Sequence, residues 1–207
     1  RLEARLEGVK LPPASAPLQS CAINEIYAEI SEENPLVTPE DCDVRAILGQ
    51  VAWGIQASRP GETFAAALLA RRAHVPTKLY CKHLLHLCSY CLKHQEEKMV
   101  IGRYGRSETF VTHVDASWAN DPFTQRSWFG YCLRWCGVAF CFRSKLLASV
   151  SLSSRDSEAA AAVFAVKAML GFAILLREIR MVPGGPFKIF VDNKATVDGA
   201  HSDKVTK

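Results

Sequence analysis

Phe110-Val111-Thr112-His113-Val114-Asp115-Ala116-Ser117-Trp118 is where the pattern of the chain changes. Upstream, apolar residues recur at helical spacing; from Phe110 onward, aromatic, valine and cysteine residues fill short extended runs. The stretch reads as a strand with an aspartate inside it. A second strand is expected over Ser127–Cys136 and a third, after a turn at Gly137, from Val138 to Lys145 and on toward Val150. Ser153 or Ser154 then caps a helix that carries Asp156 and Glu158 in its first turn. Its nearly all-apolar sequence runs to about Arg180, which predicts burial on most sides. Pro183-Gly184-Gly185-Pro186 stops it, Phe187–Val191 is a short apolar strand, and Asn193–Ala200 is the next helix. The order βββαβα predicts an α/β domain with an α+β mixed sheet. Three strands meander, and a helical crossover then returns the fourth strand parallel to the first and beside it.

Working outward, residues 1–40 begin charged, become proline-rich at Pro12, Pro13 and Pro17, and read as a tail or linker with a short helical piece over Ala22–Ser31. Residues 41–107 read as a helical segment. Thr38-Pro39-Glu40-Asp41 predicts a helix start, running to about Ala57 before Arg59-Pro60-Gly61. Two further helices fit Glu62–Ala73 and Thr77–Gln95. In the latter, Cys81, Leu84, Leu85, Cys88, Cys91 and Leu92 share an apolar face, with His83 and His86 expected to point away from it. Residues 108–207 form the third division.

Three acids stand where acids are costly. Asp115 lies inside the first strand, Asp192 directly follows Phe187-Lys188-Ile189-Phe190-Val191, and Glu158 sits in the first turn of the apolar helix. Strand one, helix one and strand four bring all three to one place. Carboxylates gathered near a core repel one another unless a cation joins them, and oxygen ligands suit Mg²⁺. Taken singly, each acid reads equally as a loop or helix cap. Two residues before Asp115, His113 reads as a paired core histidine or a catalytic helper.

The net charge of +4 is mild, but Arg71–Arg106 holds eight cations against Glu96 and Glu97, a local +6 suited to phosphates or to a solvated helix face. Eight cysteines within apolar patterns, behind no signal peptide, predict free thiols in a reducing intracellular compartment. No membrane span is expected, because Lys167 interrupts the most apolar stretch, Ala159 to Leu176. Cys81, His83, His86, Cys88, Cys91 and His94 offer zinc-type donors, although the cysteines equally serve the apolar face.

Several segments together resemble the ribonuclease H region of copia-type retrotransposon Pol polyproteins. His113-Val-Asp115-Ala-Ser-Trp-Ala119 resembles the D-A-D-W-A segment, and Arg126-Ser-Trp-Phe-Gly-Tyr131 the R-x-S-x-S-G-Y strand. Val150-Ser-Leu-Ser-Ser-Arg-Asp-Ser-Glu158 resembles V-x-L-S-S-T-E-A-E, and Val191-Asp-Asn-Lys-Ala195 resembles C-D-N-x-S-A. Ser58-Arg-Pro-Gly61 is similar to T-R-P-D-I, and His201–Lys207 to H-S-R-T-K-H-I-D, so the likeness covers about residues 42–207.

The resemblance implies two-metal hydrolysis of the RNA strand of an RNA–DNA hybrid during reverse transcription. Two Mg²⁺ ions, or Mn²⁺ in their place, would be held by Asp115, Glu158 and Asp192, with Asp115 bridging. Ser117, Ser153, Ser154, Arg155 and Asn193 become candidate substrate contacts. It also implies a connection to reverse transcriptase and the rest of the polyprotein, no membrane partner, and residence in a cytoplasmic particle or the nucleus, without secretion. Ser117 replaces the family's second aspartate, Arg155 and Ser157 alter the T-E-A-E run, and no Y-x-D-D polymerase signature occurs. Against the family pattern the domain is incomplete at its C-terminus and lacks the fourth acid. Slow or absent cleavage is therefore expected of this chain, and an inert scaffold or nucleic-acid-binding remnant is the alternative.

Overall fold

The computed structural model describes residues 2–97, 110–135, 137–181 and 186–202. The chain divides into two compact units, Arg1–Met99 and Val100–Lys207. Among the described residues, the first is helical and the second holds the sheet.

The helical unit contains α1 (Leu2–Arg5), α2 (Ala22–Ile26), α3 (Val44–Ser58), α4 (Thr63–Arg72) and α5 (Lys78–Lys93), with a 3₁₀ turn at Pro60–Glu62. Helix α5 runs through its centre: Tyr80, Leu84, Leu87 and Cys88 are completely buried. Thr77 caps it by accepting a hydrogen bond from the Tyr80 N–H, while the Tyr80 hydroxyl donates to the Leu69 carbonyl of α4.

Four expectations for this unit are corrected. Of the expected tail, residues 1–40, the described part from Leu2 onward is packed, with Leu6, Ala14, Ala22 and Ile26 buried. The proline-rich stretch has carbonyls free to accept hydrogen bonds: Ser89 Oγ donates to the Pro12 carbonyl, and His86 Nε2 lies 2.9 Å from that of Ala16. His86 is buried against that stretch and His83 is buried beside Glu25 of α2, so neither faces outward. Finally, α3 starts at Val44, with Asp43 accepting from the Ala46 N–H. Thr38 and Asp41 instead bond each other and close a turn before the helix. Helix α2 likewise ends at Ile26, short of Ser31.

The second unit is a mixed α/β structure with a four-stranded sheet in the order β3-β2-β1-β4. Strands β1 (Phe110–Ser117), β2 (Trp128–Trp135) and β3 (Val138–Leu146) are antiparallel; β4 (Lys188–Val191) pairs parallel with β1. Gly137, at φ +81°, supplies the left-handed residue that turns β2 into β3. Cys136, Pro183, Gly184 and Gly185, the cations Lys98, Arg103 and Arg106, and the end of the His201–Lys207 motif lie outside the described residues.

Helix α6 (Ser154–Glu178) covers one sheet face, and α7 (Lys194–Ala200) follows β4. Val114, Phe129, Leu147, Ala161 and Ala165 form the core beneath α6, with Ile189 and Val191 packed against it. The small alanines let the helix backbone approach the strands. Yet α6 is not buried on most sides. Val163, Leu170 and Ile174 are all more than half exposed, because one sheet covers one face of a helix. By length and composition alone α6 also suffices to cross a membrane, so Lys167 does not disqualify it; its buried side nevertheless packs on β1 and β2.

Candidate active site

The parallel register between β1 and β4 ends at Val114 opposite Val191. The next residue on each strand is an aspartate, so Asp115 and Asp192 emerge side by side. The third acid arrives from α6. Ser153 caps that helix by accepting a hydrogen bond from the Asp156 N–H at 3.1 Å, which fixes the first turn and sets Glu158 against the sheet. One carboxylate oxygen of Glu158 accepts the Ala116 N–H at 3.1 Å, just beyond the last β1–β4 pair. A carboxylate oxygen from each of Asp115, Glu158 and Asp192 lies within 4.8 Å of the others.

The electrostatics of this cluster are unbalanced. Asp115 and Asp192 are exposed, while Glu158 is only 3% exposed. Its second oxygen, Oε2, is buried without a hydrogen-bond partner among the described residues. Burial pushes the Glu158 carboxyl above the usual carboxylate range, the Ala116 N–H opposes that shift, and the charges of Asp192 and Asp115 add to it. No Lys or Arg among the described residues forms an ion pair with the three acids. A buried carboxylate oxygen left unpaired beside two more carboxylates is a donor set that fits a hard divalent cation.

The other candidates divide. Asn193 accepts from the Thr196 N–H as the cap of α7, so its side chain, like that of Ser153, is committed to a helix end. Ser117 is exposed at the end of β1 and accepts from Asn120 Nδ2 at 2.9 Å. Ser154 is exposed and offers its carbonyl to Ser157 Oγ. Arg155 turns its guanidinium toward α7, where a Cβ built on Gly199 would meet it at 2.7 Å. His113 is not a core histidine: it is exposed on the sheet face opposite α6 and stacks on Phe190, centroids 5.3 Å apart.

The zinc-type donors of α5 do not assemble. His86 is spent on a carbonyl, His94 on Glu97, and the ligand atoms of the six do not gather in threes. A different group in the helical unit does: Cys21, Glu25 and His83 bring one ligand atom each within 4.8 Å of one another. Cys21 and Glu25 carry a sequence signal, the four-residue helical spacing that puts them on one side of α2. Nothing in the sequence ties them to His83.

No family model and no solved structure matches the chain. It is similar to "Secreted RxLR effector protein 161" of Plasmopara viticola, with 28% identity over 111 residues, or 54% of this chain and 78% of that protein.

Proposed function

We propose that the second unit is a ribonuclease H-type endonuclease that hydrolyses the RNA strand of RNA–DNA hybrids, in the setting of a copia-type retrotransposon Pol polyprotein. The observation that carries this reading is the convergence of Asp115, Glu158 and Asp192, from β1, α6 and the end of β4, with no cation among the described residues paired to them. The sheet order and the parallel β4 support the same reading. Its place of action is intracellular, in a cytoplasmic particle or the nucleus, beside the reverse transcriptase of the same polyprotein.

The three acids would hold two Mg²⁺ ions, or Mn²⁺ in their place. When bound, such ions generate the attacking hydroxide and stabilise the leaving 3′-oxygen. The chain's own contribution is placement. The Ser153 cap and the Ala116 N–H fix Glu158, and the β1–β4 register fixes the two aspartates. Ser117, Ser154 and Arg155 are exposed polar side chains within four residues of these acids, and the hybrid's 2′-hydroxyls and phosphates are groups they can contact.

A gel assay with labelled RNA–DNA hybrid in Mg²⁺, and RNA duplex as control, tests the reading. Slow, hybrid-selective cleavage is expected, falling in Asp115→Asn by more than the roughly 10–100-fold that losing an outer-shell partner costs. Hybrid binding without cleavage would establish the inert-scaffold alternative instead.

A further inference from the structure

We propose that Cys21, Glu25 and His83 form a binding site for a zinc-class divalent ion in the helical unit, separate from the carboxylate cluster and independent of the nuclease reading. Their ligand atoms, a sulfur, an oxygen and an imidazole nitrogen, already lie within 4.8 Å of one another. Two ligands of a tetrahedral zinc ion stand roughly 3.5 Å apart, given bonds of about 2.0–2.3 Å, so closing on an ion takes about an ångström of side-chain adjustment. Borderline-soft ions with no strong geometric demand accept this mixed set, whereas Mg²⁺ and Ca²⁺ favour all-oxygen cages.

The local structure prepares each donor differently. His83 is completely buried on α5, and its Nδ1 has no hydrogen-bond partner among the described residues. Its other ring nitrogen, Nε2, faces Glu25 at 2.9 Å and is the one directed at the cluster. Glu25 is held well below the usual carboxylate range by Lys82 and then by the Cys21 thiol, so it is an ionised oxygen donor. The Cys21 thiol is directed at Glu25, which raises it. On binding, the ion takes the place of the Cys21 thiol proton, which passes to solvent. The Nε2 proton gives way as His83 moves to its Nδ1–H tautomer. One oxygen of Glu25 goes to the ion, and the other stays with Lys82, whose Nζ lies 2.7 Å from the carboxylate. Three protein ligands leave a fourth position for water or an exogenous group.

A plain ion-pair staple between α2 and α5 is the competing explanation, and Lys82 separates the two. In a staple, Lys82→Met weakens the unit and does nothing else. At a cation site, Lys82 is a competing positive charge, and its removal tightens metal binding roughly tenfold.

The experiment titrates the reduced, metal-stripped full chain with Co²⁺ and then Zn²⁺, in excess Mg²⁺ to occupy the carboxylate cluster. The expected result is one equivalent of Co²⁺ giving thiolate-to-cobalt charge-transfer absorption, displaced by Zn²⁺. Cys21→Ser and His83→Gln should each weaken binding by more than the roughly 10–100-fold that losing an outer-shell partner costs. Lys82→Met should tighten it, and Cys91→Ser should leave it unchanged. Absence of a charge-transfer band in the wild type, loss of the band in Cys91→Ser rather than Cys21→Ser, or weaker binding in Lys82→Met would each overturn the site. Circular dichroism of every variant identifies any that has lost its helices. For His83, with its buried ring, the smaller change His83→Asn is the second variant.

Discussion

The two side-chain clusters solve the same electrostatic problem in opposite ways. In the helical unit, the single carboxylate of Glu25 is answered by protein groups, Lys82 at 2.7 Å and His83 at 2.9 Å. In the sheet unit, three carboxylates converge, and only the Ala116 N–H answers any of them in the described structure. The first arrangement is closer to neutral without an ion; the second is not. The contrast assigns different costs to metal removal: unit two's fold carries repulsion that a hard cation would relieve, while unit one's cluster already has a protein counter-charge.

The largest effect expected from that contrast is stabilisation by Mg²⁺. At a concentration of about a hundred times its Kd, Mg²⁺ should add about 2.7 kcal/mol to the stability of the sheet unit, read as a rise in its melting transition. Asp192→Asn should abolish most of the rise. An unchanged melt in the wild type would mean that the acids do not form a working ion site, and the comparison would collapse.

A smaller effect should appear in the metal-free protein. Glu158→Gln keeps an oxygen for the Ala116 N–H and removes one of three like charges from a buried position. Stability in chelator should therefore rise by about 1 kcal/mol, as happens when a site is built for function at the expense of the fold. Denaturant melts check it. A loss of stability would show that the Glu158 charge holds the fold together and is not held against it.

The smallest effect belongs to Glu25. Its carboxyl is lowered from 4.5 to about 2, chiefly by Lys82 and then Cys21. A depressed acid contributes stability above its unfolded value that disappears as pH falls through the folded one. Acid titration of the wild type should thus lose stability of under about 1 kcal/mol between pH 4.5 and 2, a half-exposed ion pair being worth little more. Glu25→Gln should flatten that part of the profile. A profile identical in both proteins would remove the neutralised half of the comparison.

Much of the sheet was legible in residue pattern. The strand beginning at Phe110, the Gly137 turn, the Ser153 cap and the parallel fourth strand follow from short-range chemistry and the handedness of crossovers. The helical unit was harder to read. Two near-equivalent cap signals, Thr38 and Asp43, compete within six residues, and a bond between the Thr38 and Asp41 side chains decides between them. Composition made residues 1–40 look like a tail. It does not show that Pro12 and Ala16 offer their carbonyls to residues of α5 seventy or more positions away.

The sequence by itself picked out the three acids that converge in the sheet unit, because aspartates at matched strand positions and a glutamate in a capped first turn are local features that topology must bring together. Only the tertiary structure decided three other matters. It showed that Glu158 Oε2 is buried without a partner, that His113 faces solvent against Phe190, and that His83 turns inward to meet Cys21 and Glu25. It also left the far side of α6 exposed, where an apolar sequence implied burial. The reason is common to all of these. Periodicity records what a residue could bury, whereas burial depends on which distant segment arrives to cover it.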